Sequence, residues 1–211
     1  MPKTFYFLRF AKFSIENLKY PHKIDLEEGG IPMEQCCCQV AKVGEKAPEF
    51  SAEAYVHGQF KKVGLKDYKG KWVLLFFYPL DFTFVCPTEI KGFASKEKEF
   101  DKLNCKVLAC STDSVHSHKA WFGRDMPEVK FPILSDMNHA ISSAYDVLLE
   151  EKGIALRGTF IIDPDGILQH MVISSLNVGR SVDETLRVLQ ALQTGGLCPI
   201  EWKPGQPTLK V

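Results

Sequence analysis

Val73-Leu74-Leu75-Phe76-Phe77-Tyr78 is an unbroken apolar run flanked by Lys71 and Pro79. With no polar alternation, it fits a strand covered on both faces, as in a sheet packed between two layers. The downstream segments narrow the choice. Residues 87–103 place Ile90, Phe93, Phe100 and Leu103 on a helical stripe, and Pro87 suits a first helical turn. Val107-Leu108-Ala109-Cys110 is a second short apolar strand, and Ser114 is placed to cap a helix containing Trp121 and Phe122. Thr159-Phe160-Ile161-Ile162 and residues 167–173 flank Asp163-Pro164-Asp165-Gly166, which reads as a hairpin. Ser181-Val182-Asp183-Glu184 reads as a capping box opening a helix with Val182, Leu186, Leu189 and Leu192 on one face, stopped by Gly195-Gly196. The order strand–helix–strand–helix, hairpin, helix predicts an α/β domain with a mixed sheet.

At 211 residues the chain is long enough for one domain with a full core. Lys+Arg and Asp+Glu are both 26, so there is no basic excess to suggest nucleic-acid binding. No stretch reaches the ~20 apolar residues of a membrane span. Seven cysteines, an odd count without a secretory signal, fit a reduced, cytoplasmic setting in which some thiols do chemistry. There is no C-x-x-C pair, so neither a thioredoxin-type exchange motif nor a zinc ribbon is expected. Residues 1–40 show no clear periodicity and are expected to lie outside the core. Their first fifteen residues carry Lys3, Arg9 and Lys12 and no acid, weakly like an organelle transit peptide. An extension, dispensable for fold and activity, or a start at Met33 are the alternatives.

The stretch Pro79-Leu80-Asp81-Phe82-Thr83-Phe84-Val85-Cys86-Pro87-Thr88-Glu89 joins the buried strand to the first helix. Cys86 therefore falls at or beside a helix N-terminus, where unpaired N–H groups and the helix dipole favour an anion such as a thiolate. The thiolate, not the thiol, is the nucleophilic form of a cysteine. Thr83, three residues earlier, brings a hydroxyl near the sulfur, and Pro79 and Pro87 stiffen the loop. Cys105, in an expected Asn104-Cys105-Lys106 turn, and Cys110, at the end of a strand, read as inert packing thiols. Cys36-Cys37-Cys38 cannot all point one way and read as incidental. His116-x-His118 lacks a third ligand, so neither a metal nor any other cofactor is expected.

Pro79-x-x-x-Thr83-x-x-Cys86 resembles the active-site signature of the peroxiredoxins. The longer string from Phe76 to Glu89 resembles that of the typical two-cysteine subfamily, which includes bacterial alkyl hydroperoxide reductases and thioredoxin peroxidases. The resemblance covers residues 43–209. It implies a thioredoxin-like fold with a central mixed β-sheet flanked by helices, divided into an extension (1–40), a peroxidase domain (41–193) and a resolving-cysteine segment (194–211). It implies that Cys86 is the peroxidatic thiol, with Pro79 and Thr83 shaping its loop. Arg157, in Arg157-Gly158-Thr159-Phe160, is implied as the catalytic arginine. Arg180, in Gly179-Arg180-Ser181-Val182, is implied to pair with Glu89 and orient Arg157. Cys198, in Gly196-Leu197-Cys198-Pro199, is implied as the resolving thiol of the partner subunit in a homodimer with a Cys86–Cys198 disulfide, the dimers joining into decamers.

The implied activity is reduction of hydrogen peroxide and organic hydroperoxides, with a thioredoxin-like or flavoprotein disulfide reductant. A holdase chaperone or redox relay is the alternative. Family members sensitive to excess peroxide carry a Gly-Gly-Leu-Gly insertion and a covering C-terminal helix. Here residues 122–131 lack the insertion and 13 residues (211 − 198) follow Cys198, so resistance is expected.

Overall fold

The structure, a computed structural model, describes residues 40–210. The expectations for the extension, for a start at Met33 and for Cys36-Cys37-Cys38 lie outside the described residues. In chain order the elements are β1 (Ser51–Val56), β2 (Gln59–Gly64), a 3-10 turn (Leu65–Tyr68), β3 (Trp72–Phe77), α1 (Cys86–Ser95), α2 (Glu97–Lys102), β4 (Cys105–Ser111), α3 (Val115–Asp125), β5 (Ile133–Ser135), α4 (Ala140–Ala144), β6 (Leu148–Leu149), β7 (Ile154–Ala155), β8 (Arg157–Ile162), β9 (Leu168–Ser174) and α5 (Val182–Gln193). The main sheet has seven strands in the order β2-β1-β5-β4-β3-β8-β9. β3 runs parallel to β4 and antiparallel to β8, so the sheet is mixed, as expected.

The two-sided burial of β3 follows from its sequence. Leu74 and Phe76, with Tyr78 beyond the strand, join a cluster with Ile90, Phe93, Phe100, Trp121, Leu186 and Leu189 from the helices. Val73, Leu75 and Phe77 join a second cluster with Leu65, Ile141 and Tyr145 on the opposite face. Each fully buried Leu or Phe contributes ~1.5–3 kcal/mol, which is why a continuous apolar run sits at the centre rather than at an edge.

The helix expected over residues 87–103 is two helices with a break at Lys96 (φ −102°, ψ 4°). The hydroxyl of Ser95 donates to the carbonyl of Gly92 at 2.7 Å. The N–H of Lys96 donates to the carbonyl of Phe93 at 3.2 Å rather than to that of Gly92, four residues back. Cys105 opens β4 and is buried; it does not sit in the expected turn. At the start of α5 the Ser181 hydroxyl accepts from the N–H of Glu184, but the Glu184 carboxylate pairs with Arg187, so half of the expected box forms. The Asp163 carboxylate accepts from the N–H groups of Asp165 and Ile167, both at 2.9 Å, closing the expected β8–β9 turn. After α5 the tail folds back. Trp202 is buried and its carbonyl accepts from Arg187 Nη1 at 3.0 Å. Among the described residues no helix is long and apolar enough to cross a membrane.

Candidate active site

α1 begins at Cys86, with Val85 as N-cap and Pro87 in the first turn. Pro87 has no N–H to leave unpaired there, so the turn starts with one fewer unsatisfied donor. Cys86 is fully buried in the helix-side cluster. One turn on, Glu89 points from the same helix into the same space and is also buried.

β8 supplies the first cation. Arg157 Nη1 donates to Cys86 Sγ at 3.5 Å and also to Glu89 Oε2, while its Nε donates to the carbonyl of Leu176 at 2.9 Å. The segment before α5 supplies the second. Arg180 Nε and its backbone N–H both donate to Glu89 Oε1 at 2.8 Å, and Nη2 donates to Oε2 at 3.0 Å. Arg180 Nη1 donates to the carbonyl of Gly158 at 2.7 Å, tying the second arginine to the strand of the first. Burial alone would raise Glu89, but the hydrogen bonds and charge of Arg180, with Arg157 behind them, hold its carboxyl below the usual carboxylate range.

Two buried guanidiniums thus face one carboxylate, and the sulfur of Cys86 lies where an anion would balance the remaining charge. Neither other buried thiol has such surroundings. Burial pushes the Cys105 thiol up to about 12 and Cys110 well above its ordinary value, so both stay protonated and unreactive near neutrality.

The expected site residues therefore meet in part. Cys86, Glu89, Arg157 and Arg180 form one hydrogen-bonded group. Pro79 is buried in the loop ahead of them. The Thr83 hydroxyl donates to the carbonyl of Leu80 at 3.0 Å, a loop-shaping bond that does not reach the sulfur. Cys198 is elsewhere: its thiol donates to the carbonyl of Ala191 at 3.7 Å and lies 3.5 Å from the Thr194 hydroxyl, at the far end of α5. His116 and His118 do not converge. His116 packs edge-on against Phe60, whereas His118 is buried with Nδ1 2.8 Å from Asp81 Oδ2. Among the described residues no group of three His, Cys, Asp or Glu could hold a metal ion.

A buried cysteine at a helix start, held beside an arginine in a mixed α/β domain, is a site suited to thiol chemistry. The AhpC/TSA family model matches residues 43–171, and the chain belongs to that family, the peroxiredoxins. It is 52% identical over 184 residues to peroxiredoxin-2 of Bos taurus, covering 83% of this chain and 92% of that protein. To peroxiredoxin prdx-2 of Caenorhabditis elegans it is 53% identical over 179 residues, covering 81% and 89%. The fold is thioredoxin-like: the reduced 2-Cys peroxiredoxin of Plasmodium vivax superposes with a TM-score of 0.76 at 41% identity, covering 80% of this chain and 92% of that one. AhpC of Enterococcus faecalis gives 0.72 at 35% identity, covering 76% of this chain and 100% of that one.

Proposed function

We propose that the chain reduces hydrogen peroxide and organic hydroperoxides to water and alcohols, with Cys86 as nucleophile and Cys198 of a second subunit as resolving thiol. The observation that carries this reading is Cys86 Sγ at the first residue of α1, 3.5 Å from Arg157 Nη1. The thiolate attacks the terminal oxygen of the hydroperoxide. An S–O bond forms, the O–O bond breaks, and the leaving alkoxide or hydroxide takes a proton. Arg157 is placed to stabilise charge on both oxygens as it develops, because a guanidinium stays charged and offers fixed donors. Glu89 and Arg180 hold it there, and Pro79 and Thr83 shape the loop. The Cys198 thiolate then attacks the sulfenic sulfur, an S–S bond forms, and hydroxide leaves as water. A dithiol of thioredoxin-like or flavoprotein type reopens the disulfide.

The geometry of α5 supports resolution between subunits. Gly179, just before α5, packs against Val85 and Glu89. At the other end, Gln193 Nε2 donates to the carbonyl of Leu103, beyond α2. α5 thus carries Cys198 away from the Cys86 end of α1. From Val182 to Ala191 the helix rises roughly 14 Å, well beyond the ~4.4–6.8 Å between the Cα atoms of a disulfide. A second copy has a place to dock. β9 is an edge strand, LQHMVIS, with no charged residue and with Val172 and Ile173 exposed, and an uncharged edge is open to pairing. Phe84 is 95% exposed beside the half-exposed Phe82, a further apolar surface suited to joining dimers into decamers. The domain division at residues 40 and 193 is proposed with it, the second boundary because α5 ends at Gln193 and the tail holding Cys198 comes after it.

Peroxide treatment is expected to give a covalent dimer on a non-reducing gel, with peptide mapping joining Cys86 to Cys198 and Cys198→Ser removing the crosslink. A monomer with an internal Cys86–Cys198 bond would contradict the intersubunit geometry. We also expect turnover in rising peroxide to leave little sulfinic acid on Cys86. The connection after α3 lacks the Gly-Gly-Leu-Gly insertion and is anchored in the core through buried Met126, Val129 and Phe131. Sulfinic acid accumulating at low micromolar peroxide with Cys198 intact would refute the expectation.

A further inference from the structure

A second polar cluster lies buried under the loop formed by residues 79–85. Asp81 is 6% exposed, and its carboxylate faces three groups. The Tyr78 hydroxyl donates to Oδ1 at 2.8 Å, the Ser117 hydroxyl donates to Oδ2 at 2.7 Å, and His118 Nδ1 lies 2.8 Å from Oδ2. The backbone N–H of Asp81 donates to Asp113 Oδ2 at 2.8 Å. Asp113 also accepts from the Ser111 hydroxyl, and its carbonyl accepts from Ser135 at 2.7 Å. Burial first, then the Asp81 charge, pushes the Tyr78 hydroxyl well above its ordinary value, so it remains a donor. One residue of the loop is thereby tied to the ends of β3, β4 and β5 and to the first turn of α3.

The next residue is under strain. Phe82 has φ +55°, a left-handed backbone that bulky residues adopt only when their surroundings enforce it. Phe82 is half-exposed; its ring leans on Trp121 at 5.7 Å and under Arg124 at 5.3 Å. Half of Phe82 stays exposed, whereas the Tyr78 and His118 contacts to the Asp81 carboxylate are buried and that of Ser117 is part-buried. Beyond Phe82 come Thr83 and then Cys86.

We infer that Asp81 is a positioning residue: with Tyr78, Ser117 and His118 it clamps the strained loop in the closed form that buries Cys86 beside Arg157, and so sets how often Cys86 is uncovered. The inference rests on the peroxidatic role proposed for Cys86. Its consequence is two effects of opposite sign. Oxidation by peroxide uses the closed site, where Arg157 meets the sulfur. Disulfide formation uses the open one, because a buried Cys86 cannot meet a second subunit. Weakening the clamp slows the first step and speeds the second, whereas simple damage to the fold slows both.

The test uses the full chain with Asp81→Asn and, separately, Ser117→Ala. The second removes one donor while keeping the Asp81 carboxylate and the N–H of Ser117 that donates to Ser114. Hydrogen exchange of the amides in residues 79–86 of the reduced protein should accelerate by roughly ten- to a hundredfold in Ser117→Ala, the worth of one bond to a buried charge, and at least as much in Asp81→Asn. Rapid-mixing kinetics should then show slower oxidation of Cys86 and faster closure of the disulfide. Unchanged exchange in Ser117→Ala, or both chemical steps slowing together in it, would overturn the clamp. The exchange measurement needs no peroxide, so it reads the clamp even if Cys86 proves not to be the nucleophile.

Discussion

Replacing Cys86 by serine is expected to reduce hydroperoxide turnover to the rate of the reductant alone while leaving the fold in place. The exchange of sulfur for oxygen is small, and the buried hydroxyl inherits a partner, because Arg157 Nη1 already donates to that position. What is lost is the soft anionic nucleophile. No neighbouring thiol replaces it: Cys105 and Cys110 are buried and held protonated, and Cys198 lies at the other end of α5. Arg157→Ala keeps the thiol and removes the donor aimed at the developing oxyanion. Loss of one such donor typically costs ~100- to 1,000-fold in turnover, and a fall of that order is expected in steady-state peroxide consumption with a dithiol reductant. Near-normal rates in either variant would remove Cys86 or Arg157 from its proposed role.

Glu89→Ala is expected to produce the largest loss of stability. The Glu89 side chain is 2% exposed, and those of Arg157 and Arg180 are 3% and 4% exposed. Deleting the carboxylate leaves two buried guanidiniums facing each other without their shared anion, each keeping a bond to a backbone carbonyl. Breaking a buried pair from one side costs ~3–5 kcal/mol, which for a chain of this size lowers the melting temperature by roughly 6–20 °C. Activity should fall as well, since Arg157 loses the bond that aims it at the sulfur. The pH dependence carries the same signature. The folded protein holds the Glu89 carboxyl below its ordinary value, so its contribution is present above the ordinary carboxylate range and is lost as pH falls through the lowered folded value. Thermal melts of the wild type and Glu89→Gln should differ most near neutrality and converge in acid. A difference that stays constant down to strongly acid pH would show that the carboxylate charge is not what holds the arginines.

Much of this arrangement was legible in the residues. The six apolar residues after Trp72 had to be a central strand, and the Pro-flanked cysteine after them had to sit near a helix start; both conclusions come from local patterning. The Asp163-Pro164-Asp165-Gly166 turn was equally plain, with Gly166 taking φ +80°. Other parts were not. The β1–β2 hairpin turns at His57-Gly58, both at positive φ, but β2 is mostly exposed and rich in lysine, so it lacks the apolar alternation that marks a strand. β5 and α4 have three and five residues, too short for any period to show. The break at Lys96 is a shift of one N–H from the i−4 to the i−3 carbonyl, which a helical stripe does not record.

The site divides in the same way. Cys86 was findable from its position, whereas the meeting of Arg157, Arg180 and Glu89 depends on strand and loop placement far along the chain, and pattern alone gave no reason to join them. Their grouping was anticipated only through the likeness of those segments to a known family. Asp81 carries no such signal, because one acid in a short loop has the pattern of a solvent-exposed residue. Its burial comes from Tyr78, Ser117 and His118 arriving from two different elements.

The most direct test of the proposed chemistry uses Cys198→Ser, in which the first oxidation product has no resolving partner. Reduced protein is mixed with one equivalent of hydrogen peroxide, quenched with a sulfenic-acid trap and examined by peptide mass spectrometry. The expected result is one trap adduct per chain, on the peptide containing Cys86, with Cys105 and Cys110 unmodified. Peroxide consumed while Cys86 remains a free thiol, or an adduct on a different cysteine, would contradict the assignment of Cys86 as the atom that attacks the O–O bond.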